Sequence, residues 1–131
     1  MSPDRSADRF AALRPLAVDL LGVIVFVAIG RNNHDEGTAI DGIATVASPF
    51  LIALVVGWAV ARLARLRPLS IGFGAVVWIV TVALGMLLRH SVFDRGTATA
   101  FIIVATVFLG FVLLGWRTIA SLVMHRRAGR P

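Results

Sequence analysis

The chain contains no cysteine, which excludes disulfides and thiolate metal sites. It contains no lysine either, so all 13 of its basic residues are arginine. Charge of any kind is scarce: 15% of the 131 residues are charged and 58% are hydrophobic, with a mean hydropathy of +0.88. Soluble domains are about 45–50% apolar. The charges that exist are clumped, and between the clumps lie long runs with few or none.

Residues 42–61, 68–88 and 96–116 are three such runs. An uncharged stretch of about 18 or more residues predicts a transmembrane helix, since about 20 residues rising 1.5 Å each cross about 30 Å of hydrocarbon. Residues 16–30 form a shorter fourth run that contains Asp19. A secretory signal would also be short, with Arg14 in its charged region and Ala28-Ile29-Gly30 as a small-residue cleavage site. Asp19 inside the apolar region opposes that reading, and so does a later partner segment. The first run is therefore expected to stay as a membrane helix reaching about Asn33, with Pro15 in its first turn, where a missing N–H costs nothing. Four helices consume most of the chain. The expected organisation is a tail over 1–15, a four-helix transmembrane domain over 16–121, and a basic tail over 122–131.

The arginines predict orientation. Ten of them (Arg5, Arg9, Arg14, Arg62, Arg65, Arg67, Arg117, Arg126, Arg127, Arg130) fall before the first helix, between the second and third, or after the fourth. The other three, Arg31, Arg89 and Arg95, fall on the opposite side. Short arginine-rich loops stay cytoplasmic, so both termini are expected inside a plasma (inner) membrane. The net charge of +6 and pI near 11.8 then follow from orientation and attraction to anionic lipid heads. They call for no nucleic acid.

A repeat runs through the sequence. "VFVAIG" (25–30) aligns with "VTVALG" (80–85), and each leads to a loop closing in Gly-Thr-Ala, at 37–39 and 96–98. Each loop opens a helix that contains Ala-Thr-Val and closes in Gly-Trp, at Trp58 and Trp116. The expectation is one helical hairpin written twice, about 16–62 and 69–121. Both copies enter from the inside, so the pseudo-two-fold axis runs along the membrane normal.

Lipid offers no hydrophobic force between helices, so close approach relies on small residues. Gly22 on the first helix, Ala53, Gly57 and Ala61 on the second, Thr81 and Gly85 on the third, and Thr106 and Gly110 on the fourth form smooth stripes; Gly30 lies eight residues beyond Gly22. Trp58 and Trp116 fall at inner helix ends, where interfacial aromatics sit. Trp78 lies deeper and is expected to pack within the bundle. Pro49 should kink the second helix.

Ionisable residues inside a membrane are where function is sought. Asp19 suits a proton or cation relay. It also suits a first-turn carboxylate favoured by the helix dipole and paired with Arg14, Arg62 or Arg117, which is the reading favoured here. Arg31, His34, Asp35, Glu36 and Arg89 gather at the outer side. His34, Asp35, Glu36 and His90 match no known helical metal-ligand spacing, so no metal is assigned. Thr38 and Thr97 read as helix N-caps. The loop "IGRNNHDEGTA" (29–39) is expected to be an electrostatic rim, with Asp35 and Glu36 near Arg89 or Arg95 and Arg31 near Asp94.

The segments "VDLLGVIVFVAIGRNNHDEG", "PFLIALVVGWAVAR" and "WIVTVALGMLLRHSVFDRGTATAFIIVATVFLGFVLLGWR" together resemble a family of small four-helix membrane proteins common in actinobacteria. That family is a domain of unknown function. The resemblance covers about 16–117. Its most specific pieces are Gly30-Arg31 with His34 and Glu36, Pro49-Phe50, Gly57-Trp58, Gly85 to Arg89, Gly96-Thr97-Ala98, and Gly115-Trp116-Arg117. It implies a multi-pass membrane protein and supplies no activity.

Three function classes follow. The favoured one is a non-enzymatic accessory or scaffold subunit, a homo-oligomer or part of a larger membrane assembly. The second is a small homo-oligomeric transporter or pore using Asp19 and Arg89. The third is an enzyme or ligand site at the outer face; no nucleophile–base pair or cofactor motif supports it, and no cofactor is assigned. The surroundings of Asp19 and Arg89 discriminate: a wet interior favours transport, local partners favour a structural role.

Overall fold

A computed structural model describes residues 5–33, 40–91 and 99–129. It is an all-α membrane protein of four helices: α1 (Arg5–Asn33), α2 (Ile40–Leu63), α3 (Ile71–Ser91) and α4 (Thr99–Ala128). Each is long and apolar enough to cross a bilayer, with the apolar part of α1 spanning Leu13–Gly30. The helices run up, down, up, down. Asp19 meets Arg117 at one end, and Phe26 meets Phe50 and Phe108 towards the other. Each helix touches its two neighbours around a ring, and the diagonal pairs α1/α3 and α2/α4 make no close backbone approach among the described residues. The α2/α3 seam is the tightest and the α1/α4 seam the loosest.

Two helices extend beyond the expected boundaries. The segment expected to be a tail over 1–15 is helical from Arg5, and Pro15 sits inside α1 rather than in its first turn. The ten residues before it, "RSADRFAALR", are mostly good helix formers, so the helix continues through the break in its hydrogen-bond ladder at Pro15. Membrane helices tolerate such a proline. Hydropathy marks only where the apolar stretch starts, so it placed the helix end at the hydrocarbon boundary. For the same reason the basic segment from residue 122 continues α4 as far as Ala128. Pro49 is likewise interior, and α2 is continuous through it.

Small residues allow the α2/α3 approach. A Cβ on Gly57 would lie 3.2 Å from the Val77 Cα, and one on Gly85 would lie 2.6 Å from the Phe50 ring. Ala53, Ala61 and Thr81 are fully buried on the same two helices. On α4, Gly110 takes the Trp78 indole, whose Nε1–H donates to the Thr106 carbonyl at 2.8 Å. The Thr106 hydroxyl donates to the Ile102 carbonyl at 2.6 Å. Gly22 faces Val112 across the α1/α4 seam, whereas Gly30 has open space where a side chain would be. At the end of the core away from the Asp19–Arg117 pair lies an aromatic cluster of Phe26, Phe50, Phe101 and Phe108, with ring centroids 5.5–6.1 Å apart.

The α2–α3 connection is a built turn. The Leu66 N–H donates to the Ala61 carbonyl at 3.1 Å, and the Arg65 N–H to the Arg62 carbonyl at 2.9 Å. This pair of bonds is a Schellman C-cap, and Leu66 packs on the core as that motif favours. Arg65 occupies its left-handed position, at φ 60°. Ser70 then caps α3: its hydroxyl accepts from the Phe73 N–H at 3.1 Å and donates to the Arg67 carbonyl at 2.7 Å. Left-handed backbone costs a non-glycine residue about 1 kcal/mol. Arg65→Gly should therefore raise unfolding stability by about that amount, and Arg65→Val should lower it. Denaturant titration in mild detergent checks both; a loss on Arg65→Gly would show that the arginine side chain outweighs the strain.

Candidate functional site

One polar cluster lies inside the bundle, at the arginine-rich end. The Asp19 and Arg117 side chains are 0% exposed and form a bidentate ion pair. Arg117 Nη1 donates to Asp19 Oδ1 at 2.9 Å and Nη2 to Oδ2 at 2.7 Å. Two tryptophans complete the carboxylate's shell. The Trp58 indole N–H donates to Oδ2 at 2.8 Å, and the Trp116 indole N–H to Oδ1 at 2.9 Å. The guanidinium also reaches backbone: Nε donates to the Pro68 carbonyl at 2.9 Å and Nη1 to the Leu113 carbonyl at 2.8 Å.

Each helix supplies a part. Asp19 comes from α1, Trp58 from α2, Trp116 and Arg117 from α4, and the Pro68 carbonyl from the α2–α3 turn. α3 supplies apolar walls. The Phe73 ring packs edge-on to Trp58, with centroids 4.6 Å apart, and lies 5.4 Å from the guanidinium carbon. Gly74 leaves room for the Arg117 stem, since a Cβ there would lie 2.7 Å from Arg117 Cδ. The guanidinium also stands 4.5 Å from the Trp116 ring centroid.

A buried charge pair is tolerated only where geometry is good and the remaining donors and acceptors are satisfied. Here two carboxylate oxygens receive four N–H groups and the guanidinium uses four of its five. The cluster holds charge in place. A relay would need one of these groups to exchange a proton with a water path, and Asp19 is closed over by two indoles and a guanidinium.

Of the three partners expected for Asp19, the structure selects Arg117; Arg14 and Arg62 are exposed. The helix-dipole argument for Asp19 is overturned. With α1 starting at Arg5, Asp19 lies about four turns from the helix N-terminus, well beyond the first turn where the dipole acts. Arg89, the other singled-out arginine, sits at the opposite end of the bundle, its guanidinium carbon 4.3 Å above the Phe101 ring. The structure therefore does not bring Asp19 and Arg89 together. His34, Asp35, Glu36, Asp94, Arg95 and the caps Thr38 and Thr97 lie outside the described residues, as does the side chain of Arg31, so the outer rim is not placed.

Sequence reasoning placed Trp58 and Trp116 at a membrane interface and missed that both donate to one carboxylate. A signal existed. An indole N–H is a donor with no acceptor of its own, and both tryptophans fall at the level of a lone intramembrane acid.

These features define a class: a four-span helical membrane bundle closed at one end by a buried ion pair. Residues 16–120 match the model of a family described as Protein of unknown function (DUF3054), and the chain belongs to that family. No curated protein and no solved structure matches it.

Proposed function

We propose that this protein is a non-enzymatic structural subunit of the membrane, an accessory or scaffold element rather than a carrier. The observation that carries this reading is the saturation of Asp19. Its four N–H donors tie α1, α2 and α4 together, and Arg117 bonds on to the turn that leads into α3. The small-residue stripes also serve contacts inside this bundle, which leaves an apolar outer surface such as Leu21, Val55, Ile79 and Phe111 for lipid or neighbouring subunits. Proteoliposomes loaded with a pH-sensitive dye test the proposal. Under an imposed gradient, wild type and Asp19→Asn should both leak protons no faster than protein-free vesicles. Flux that requires Asp19 would assign the protein to transport instead.

The proposed orientation places both termini in the cytoplasm and rests on the ten-to-three arginine division. The cysteine-free sequence is a ready background for labelling. A membrane-impermeant maleimide should modify Ser91→Cys in intact cells and Arg127→Cys only after lysis. The reverse pattern would invert the topology. The parallel hairpin repeat remains a proposal of the same kind. It is supported by the ring order of the helices and by two sequence-equivalent tryptophans, Trp58 and Trp116, that converge on one acid.

A further inference from the structure

At the arginine-rich end an open groove of about 730 Å³ lies between α1, α4 and the last turn of α2 with the α2–α3 turn that follows it. Pro15 of α1 forms one wall, Ser121 and Met124 of α4 another, and Arg62, Arg67 and Leu69 the third. Arg62 and Arg67 are exposed. The groove opens along the loosest seam of the bundle, α1/α4. It also sits where apolar spans end, since those of α1, α2 and α3 have boundaries at Leu13, Leu63 and Ile71. This is the depth of lipid headgroups.

We propose that this groove is a binding site for one anionic phospholipid, with Arg62 and Arg67 holding the headgroup phosphate and an acyl chain lying against Leu69 and Met124. Two guanidiniums in one concave site suit a phosphodiester that keeps its net negative charge better than the same phosphate balanced by a choline in its own headgroup. The turn that carries Arg67 is fixed by the Schellman cap and by Ser70, so its backbone is organised before the lipid arrives. Arg65, two residues before Arg67, accepts left-handed strain where glycine is the usual residue, which keeps a third cation in this turn. The site adjoins the buried cluster, because Pro68 lines the groove and its carbonyl accepts the Arg117 Nε–H. A bound lipid would thus brace the turn on which Arg117 rests. This assignment is independent of whether the protein serves as a subunit or a carrier.

The test is a lipid titration of the purified full chain in neutral detergent, read by native mass spectrometry. Phosphatidylglycerol should bind saturably at one per chain, and phosphatidylcholine should not. Arg62→Gln/Arg67→Gln should weaken binding about tenfold to thirtyfold. Arg126→Gln/Arg127→Gln removes the same charge outside the groove and should change it little. Ser121→Trp fills the groove at constant charge and should also abolish the one-to-one complex, which decides the matter if the double arginine variant fails to fold. Equal weakening by both double variants would mean diffuse attraction and overturn the site. So would phosphatidylcholine binding as tightly. Inorganic phosphate displacing the lipid at comparable concentration would overturn the lipid as the ligand and leave a free-phosphate site.

Discussion

Arg117→Met should destabilise the bundle by about 3–5 kcal/mol, the usual consequence of leaving a buried charge without its partner. The substitution keeps most of the side chain's volume beside Gly74 and Phe73, so packing loss contributes little. What remains is a carboxylate in the membrane interior with two indole donors in place of a full shell. Adding Asp19→Asn to Arg117→Met removes that charge while one amide oxygen still accepts an indole N–H. The double variant should therefore be more stable than Arg117→Met alone. Its residual deficit should be about 1–3 kcal/mol, from the other indole left without an acceptor and the Pro68 carbonyl left without the Arg117 donor. Unfolding titrations of wild type, Arg117→Met, Asp19→Asn and the double variant in mild detergent would show this coupling. Strictly additive losses would mean that the ion pair is not the interaction that matters at this end.

The second large effect concerns the α2/α3 seam and depends on position rather than on residue type. Gly57→Ala places a methyl group 3.2–3.3 Å from the backbone of Val77. Gly85→Ala places one 2.6 Å from the ring of Phe50, which is fully buried and has no space to move into. Overpacking of this kind costs about 1–3 kcal/mol. Gly115→Ala meets nothing within 4 Å and should be neutral or stabilising by up to about 1 kcal/mol, since alanine is the better helix former. The opposite signs expected at Gly57 and Gly115 make melting temperatures an adequate test. Equal effects at the two positions would remove close helix approach as the role of Gly57.

Much of this architecture is legible in the sequence, for definite reasons. Span number follows from apolar length, which the bilayer fixes. The pairing of Asp19 with an arginine at the same end follows from the cost of an intramembrane charge, and Arg117 was among three possible partners. Which arginine wins depends on side-chain direction. Arg117 lies one residue after Trp116, and its stem passes Gly74 into the core, whereas Arg14 and Arg62 face outward. Periodicity gives a face and a depth but no registration between helices. That is why the convergence of Trp58 and Trp116 on one acid was not read from the sequence. The start of α1 was misplaced because hydropathy reports the membrane boundary and not the helix boundary, and Leu13 marks the first while Arg5 marks the second.

The Asp19–Arg117 pair also sets a schedule for biogenesis. The two residues are 98 positions apart in the chain, and ribosomes add about 5–20 residues per second. For roughly 5–20 s after Asp19 leaves the ribosome, its final counter-charge has not been made. Trp58 is synthesised earlier and can offer one N–H in the interval, but the guanidinium and the second indole arrive together, near the end of synthesis. Insertion of the first helix is thus provisional until the fourth is in place. A chain truncated before Arg117 leaves Asp19 without the guanidinium that completes its shell, however well the first three helices are inserted.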